Sequence, residues 1–385
     1  MPRLAHRTEL ALPFHAVELF KEANTLTAQG NDIISLGIGE PDFTAPPTVV
    51  EALNRAALAG KAQYTAPAGT PELKQAICDY YHTHFNARVR PDQVMITAGA
   101  SGALSLATLA LINPGDEILM PDPSYPANQN FVLAAGGVSR LIPSTAANRF
   151  HLTADDIVTH WNAKTRGVLI ASPSNPTGAT MAKKDLEDLI LAVKQRGGFV
   201  IMDEIYLGLY YEDTPESALC IDPDLIIINS FSKYFHMTGW RLGWLIAPSS
   251  MLPAMEKLAA SLAICAPSLA QHAALACFEP EAMAIYEQRR LAFKARRDFL
   301  LPAFESMGLH VPVIPDGAFY IYADVSAHSD DSQTFSHQLL HQAHVAAVPG
   351  LDFGPTYAKK MLRFSYSTQM AQLEEAVERM RKFLA

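Results

Sequence analysis

Short apolar runs rich in β-branched residues recur through much of the chain: Val94–Thr97, Glu117–Met120, Gly167–Ala171, Phe199–Met202 and Leu225–Ile228. Each is continuous rather than alternating, which predicts strands buried on both faces. Helical patterns stand between and around them. An amphipathic stretch from Phe14 to Ala28 stops at Gly30, and another helix begins after Ala45-Pro46-Pro47. A third is capped near Thr70 and opened by Pro71, and a fourth, nearly all apolar, covers Ala103–Ile112. Strands alternating with helices at this spacing predict a parallel sheet wound by right-handed crossovers. Ile33–Gly39 adds a short strand that ends where Gly39, Pro41 and Asp42 forbid regular structure. Beyond Glu279 the rhythm changes. A long arginine-rich helix to Met307 predicts a bridge between two domains, and Gly317–Val325, Ala343–Pro349 and Leu362–Ser367 read as strands of the smaller one.

Composition narrows the class. A chain of 385 residues is too long for one simple core and implies a large domain with a smaller companion. With 49% hydrophobic and 18% charged residues it has the make-up of an ordinary globular enzyme. A net charge of −9 argues against a nucleic-acid footprint or an anionic membrane surface. Cys78, Cys220, Cys265 and Cys277 show no CxxC spacing, so neither a zinc site nor a disulfide framework is indicated. The opening Met1–Leu10 lacks the apolar core of a signal peptide, and no apolar run reaches spanning length. The expected location is the cytoplasm.

Candidate chemistry gathers at the predicted strand ends, where ligands bind in open α/β sheets. After Leu225–Ile228 come Ser230, Ser232 and Lys233, with Arg241 shortly downstream. Two hydroxyls, an amine and a guanidinium suit holding a phosphate and forming an imine, although Ser-x-Ser-Lys alone is more often an ordinary solvated loop. Val94–Thr97 meets Gly99-Ala100-Ser101-Gly102 and a helix. A strand, a glycine turn and a helix N-terminus cradle an anion, because free N–H groups and the helix dipole both favour it. GxGxxG spacing is missing, so no dinucleotide site is indicated. Gly167–Ala171 runs into a turn holding Asn175, and Phe199–Met202 into Asp203 and Tyr206. An acid at the end of a fully buried strand needs a partner, which a protonated heterocyclic nitrogen can be. Tyr125, between Pro123 and Pro126, can present its ring to a flat ligand. Amine, phosphate cradle, amide, carboxylate and phenol together meet the needs of pyridoxal phosphate better than those of any other cofactor.

Other positions are open on their own. Gly39 is either a plain turn or a point of close substrate approach, and Tyr64, in a Gly- and Pro-punctuated loop, is either packing or function. Arg363 lies within the apolar run Leu362–Ser367, and a buried arginine needs an anion, for which a carboxylate ligand is the natural choice. No Ser-His-Asp signature, HExxH or Walker sequence is present. His337, His341 and His344 recur at i, i+4 and i+7 on a predicted helix with no acidic companion expected nearby, and read as a solvated face rather than a metal site.

LGIGEPDF, SNPTG, MDEIY, SFSKYFHMTGWRLGW and LRFSYS stand in order across almost the whole chain. Together they closely resemble the class I/II, fold-type I aminotransferases, which include bacterial aspartate aminotransferases. The resemblance implies an α/β fold with a large domain, built on a mostly parallel seven-stranded sheet wound by helices, plus a smaller α+β domain. Residues 1–45 would form an N-terminal arm and part of the small domain, 46–285 the large cofactor-binding domain, and 286–385 the C-terminal small domain. By the same likeness Lys233 carries pyridoxal 5′-phosphate as an internal aldimine and Asp203 pairs with the pyridine nitrogen. Asn175 and Tyr206 bond the phenolic oxygen, and Tyr125 stacks on the ring. Ala100, Ser101, Ser230, Ser232 and Arg241 hold the phosphate, joined by Tyr64 from the second subunit of a homodimer. Gly39, Asn175 and Arg363 receive the substrate α-carboxylate, and no metal is implied.

The implied reaction moves an amino group between an L-amino acid and a 2-oxo acid by a ping-pong route through pyridoxal and pyridoxamine phosphate. A lyase or decarboxylase on the same fold is the alternative. The effector half of a transcription regulator is remote, because it needs a basic helix-turn-helix and only about thirty residues precede LGIGEPDF. Two positions depart from the family. His236 stands where a small residue is more usual, which implies different packing beside the phosphate. Ser101 stands where some bacterial aspartate aminotransferases carry a lysine for the distal carboxylate, so neutral donors are expected to serve at least as well as aspartate.

Overall fold

The computed structural model describes residues 2–385. After a helix over His15–Ala28 the chain makes β1 (Ile34–Ser35). The large sheet follows as β2 (Val94–Thr97), β3 (Glu117–Asp122), β4 (Val138–Pro143), β5 (Thr165–Ala171), β6 (Phe199–Asp203), β7 (Ile226–Ser230) and β8 (Gly243–Ile246). Its spatial order is β2-β8-β7-β6-β5-β3-β4. β3 to β7 run parallel, while β8 is antiparallel to both β2 and β7. The central strands have buried side chains on both faces, including Leu119, Leu169, Ile201, Ile227 and Leu245, which is why their sequences do not alternate.

Two strands escape the hydrophobic pattern for physical reasons. β4 is an edge strand bonded only to β3 and half open to solvent, so it lacks the apolar run of a central strand. β8 follows β7 without a crossover α-helix; the connection, residues 231–242, holds only the short turn Thr238–Trp240. A parallel return is usually carried by a crossover helix; without one the chain doubles back, and the sheet is mixed rather than wholly parallel.

The C-terminal part carries β9 (Tyr320–Asp324), β10 (Val345–Ala346), β11 (Val348–Pro349) and β12 (Met361–Ser365). β11, β12 and β9 form an antiparallel sheet, and β1 returns from the N-terminus to pair in parallel with β10. The single strand expected over Ala343–Pro349 is therefore two. The arginine-rich helix spans Pro280–Ser306 and buries Phe293, Leu300 and Phe304. From it Arg296 donates two hydrogen bonds of 2.8 Å to Asp42, which anchors the irregular segment after Gly39. Among the described residues, no helix is long and apolar enough to cross a membrane.

Candidate active site

The ends of β2, β5, β6 and β7 open onto a cavity of about 500 Å³, within the usual range for a small-molecule site. Just beyond β7, Lys233 donates a hydrogen bond from Nζ to the Gly39 carbonyl at 2.5 Å. Loss of hydration brings its pKa down to about 8, so a fraction of the amine is neutral near that pH. Asp203 closes β6 and is 6% exposed. It accepts one bond, from the Ile205 amide at 3.0 Å, and burial lifts its pKa to about 7. A buried carboxylate bonded to no cation of its own chain is built to meet a positively charged ligand.

Arg363 supplies the opposite charge. From the middle of β12 its Nη1 donates to Asn175 Oδ1 at 2.9 Å and its Nη2 to the Gly37 carbonyl at 2.7 Å, while Nε has no partner. The guanidinium lies 4.5 Å from the ring centre of Tyr320 and 5.0 Å from that of Phe353. No carboxylate bonds to it, although it is only 6% exposed. Leaving such a charge uncompensated is costly, and the side of the fork that faces the cavity is the place for an anion.

At the other end, the helix Gly99–Leu111 begins at Gly99 itself rather than at Ala103 as the pattern suggested. Gly99 has φ +74°, and a Cβ there would stand 2.6 Å from Arg241 Nη2, so only glycine lets the guanidinium close on this turn. Ala100 and Ser101 occupy the first helical turn, where backbone N–H groups are free of intrahelical partners. Arg241 and the Ser232 hydroxyl complete an anion cradle. A phosphate cradle, an unpaired carboxylate and an amine of lowered pKa in one cavity form a donor set that fits pyridoxal 5′-phosphate.

Residues 31–380 match the family model for aminotransferase class I and II. The chain belongs to this family. The aminotransferase is 34% identical to the valine–pyruvate aminotransferase of Mycobacterium tuberculosis, over 97% of this chain and 96% of the relative. It is equally 34% identical to the aspartate aminotransferase of Thermotoga maritima, over 96% of each. Its backbone superposes on the aspartate aminotransferase from Thermus thermophilus solved with maleate with a TM-score of 0.94, at 33% identity and covering 100% of both chains. As a class I/II aminotransferase it depends on pyridoxal phosphate, has the fold-type I architecture and transfers amino groups between small amino and oxo acids.

All but two of the aminotransferase residues singled out in the sequence line the cavity; the exceptions are Ser230 and Tyr64. Ser230 stands one layer back. Its hydroxyl donates to the Leu242 carbonyl at 3.0 Å, accepts the Ser232 amide at 3.0 Å and lies 2.9 Å from Ser232 Oγ. It therefore orients Ser232 rather than facing the cavity. Tyr64 is 78% exposed on the surface of this chain. His236 turns away as well. It is buried against Phe43 and Tyr286 with both ring nitrogens unpartnered, and burial lowers its pKa to about 3, which keeps it neutral.

Sequence reading missed several residues. Tyr320 lies with its hydroxyl 2.7 Å from that of Tyr206, and a Cβ on Gly39 would stand 2.8 Å from the same oxygen. The glycine at 39 is thus explained by Tyr320, on the predicted strand Gly317–Val325. Asp352 accepts the amides of His15 at 2.6 Å and Ala16 at 2.9 Å, capping a helix that brings Val17 and Phe20 to the cavity mouth. One further expectation changes away from the cavity. His337 and His341 do have an acidic companion, Glu22, while His344 sits apart as the left-handed C-cap of its helix.

Proposed function

We propose that the enzyme transfers the amino group of neutral, predominantly apolar α-amino acids, with Arg363 holding their α-carboxylate. The observation that carries this reading is a buried guanidinium with an unpartnered Nε and no carboxylate of the chain bonded to it. Every α-amino acid offers that carboxylate, so discrimination falls to the rest of the wall. There Phe14, Val17, Phe20, Leu104, Ile205 and Phe353 are apolar. The lining cations are Lys233, Arg241 and Arg363, each with a role in hand, and Glu40 adds a negative charge at the rim. A distal carboxylate would be desolvated without a partner, at a cost of roughly several kcal/mol.

Pyridoxal phosphate, when bound, supplies the electron sink for the substrate's Cα. In our reading Ser232, Arg241 and the first turn at Ala100 and Ser101 bind its phosphate, with Ser230 holding Ser232 in place. Asp203 keeps the proton on its ring nitrogen, Asn175 and Tyr206 orient its phenolic oxygen, and Tyr125 covers a ring face. Lys233 anchors it and then, as a free amine, moves the Cα proton. A pKa near 8 supports that task. Gly39 and Asn175 complete the carboxylate pocket.

The same proposal includes a homodimer with shared sites. Leu58, Tyr64, Leu262 and Ile264 are exposed, and Gln271 ties the Tyr64 loop to the Ile264 segment by donating to Thr65 Oγ1 and the Ala266 carbonyl at 3.0 Å each. An apolar surface with an aromatic residue suits a partner subunit. It also includes a division at 1–45, 46–285 and 286–385, supported by the large sheet falling within 94–246 and the small antiparallel one within 320–365. A cytoplasmic location is supported by four cysteines left as thiols.

A donor screen on the loaded enzyme, followed through cofactor absorbance, tests the substrate class. Leucine, valine, phenylalanine and alanine are expected to match or exceed aspartate in kcat/KM. A preference for aspartate above about tenfold, or 1.4 kcal/mol, overturns it.

A further inference from the structure

We propose that Glu22, His337 and His341 bind a divalent transition-metal ion of the Zn2+ type, outside the active site. His337 and His341 lie on the helix Ser332–Ala343, where an i,i+4 spacing stacks them on one face a turn apart. Glu22 comes from a different helix, His15–Ala28. Its Oε2 is 3.2 Å from His337 Nδ1 and its Oε1 is 2.7 Å from His341 Nε2. One ligand atom from each residue falls within 4.8 Å of the other two. A tetrahedral ion with metal–ligand bonds of about 2.1 Å sets its ligands roughly 3.4 Å apart. Small rotations of three partly exposed side chains bridge the difference.

Packing, not the ion, sets the frame beneath these ligands. Leu19, Ala23, Leu340 and Ala346 form an apolar cluster that joins the same two helices, so the residues next to Glu22 and His341 in sequence are fixed in the folded protein. A small cavity opens beside Glu22 and His337, and all three ligand side chains are partly open to solvent. Water can thus fill the fourth position that three protein ligands leave open on a tetrahedral ion. Without an ion, His341 Nε2 is hydrogen-bonded to Glu22 Oε1, and His337 Nδ1 stands near the other carboxylate oxygen.

The ion ties the second half of His15–Ala28 to the C-terminal part of the protein. The first half of that helix lines the mouth of the catalytic cavity and is capped by Asp352. Metal occupancy therefore restrains the wall formed by Val17 and Phe20 without touching the reacting groups.

Chelator-treated holoenzyme titrated with Zn2+, by calorimetry and by equilibrium dialysis, tests the site alongside Glu22→Gln and the paired change His337→Gln/His341→Gln. Wild type is expected to bind one Zn2+ per chain that the paired variant lacks, and Glu22→Gln to weaken it by about tenfold or more. Zn2+ is expected to raise Tm in wild type and not in the paired variant, and Co2+ to give the intense visible absorption of a four-coordinate ion in wild type only. Metal-free transamination is expected to be equal in all three. Equal Zn2+ affinity and stoichiometry in wild type and the paired variant overturns the proposal. If the paired variant fails to fold, the wild-type Co2+ spectrum decides, and a six-coordinate or absent signal overturns the proposal.

Discussion

Replacing Asp203 with Asn in the cofactor-free protein removes an ionisable group that the fold holds almost out of water. Its pKa moves from 3.8 to about 7, chiefly through burial. The unfolded chain releases this proton near pH 4 and the folded protein only near pH 7. Between those values the folded state binds more protons, so wild-type stability falls as pH rises through the window and stays low above it. A displacement of about three units at 1.36 kcal/mol each gives roughly 4 kcal/mol, an upper figure because water entry and relaxation soften burial.

Asn retains the oxygen that accepts the Ile205 amide and never ionises. Urea unfolding of the apo forms is therefore expected to show little difference near pH 4. The variant should gain a lead that grows to as much as about 4 kcal/mol by pH 8. Lys233 does not confuse the window. Burial lowers its pKa from 10.5 to about 8, so the cost of charging it is present below pH 8 and fades only as pH climbs toward 10.5. Saturating pyridoxal phosphate is expected to reverse the order, because only the carboxylate pairs with a protonated ring nitrogen, and activity of the variant falls. An apo stability gap that stays constant from about pH 5 to pH 8, or favours wild type throughout, refutes the reasoning.

Three further outcomes test the assignments. Lys233→Ala is expected to fold and take up cofactor yet lose transamination by at least about 10³-fold, the scale of a missing base; near-normal turnover would show that another group moves the proton. Arg363→Lys keeps the charge but loses the planar fork, and kcat/KM is expected to fall about 10- to 100-fold for every donor alike, from roughly 1.5–3 kcal/mol of charge-assisted bonding, whereas a loss confined to one donor class contradicts a general carboxylate role. Tyr64→Phe is expected to weaken cofactor retention without changing the fold of either subunit, as read by dialysis and sedimentation. A monomeric wild type, or unchanged retention, removes Tyr64 from the site.

The residues that carry chemistry were legible because they sit at the ends of strands whose burial on both faces writes a continuous apolar run. Lys233 after β7, Asp203 at the end of β6 and the turn at Gly99 after β2 all follow from short local patterns. Local pattern also misleads in a definable way. It left β4 and β8 unread, since an edge strand needs little apolar surface and an antiparallel return needs no helix. It placed Ser230 in the cavity with Ser232, though the Ser230 hydroxyl is held one layer back by the Leu242 carbonyl on a neighbouring segment. Contacts between distant segments were invisible altogether. Asp352 caps a helix 337 residues away, and Glu22 meets His341 across 319 residues. The shape of the substrate wall depends on β1 pairing with β10, which carries the N-terminal segment back over the cavity. Propensity and periodicity act over a few residues, and so the sequence alone determined which elements form and which chemical groups stand at their ends. Which ends meet, which charges lose their water and which apolar side chains close the mouth are settled by packing among elements far apart in the chain, and only the tertiary structure decided those.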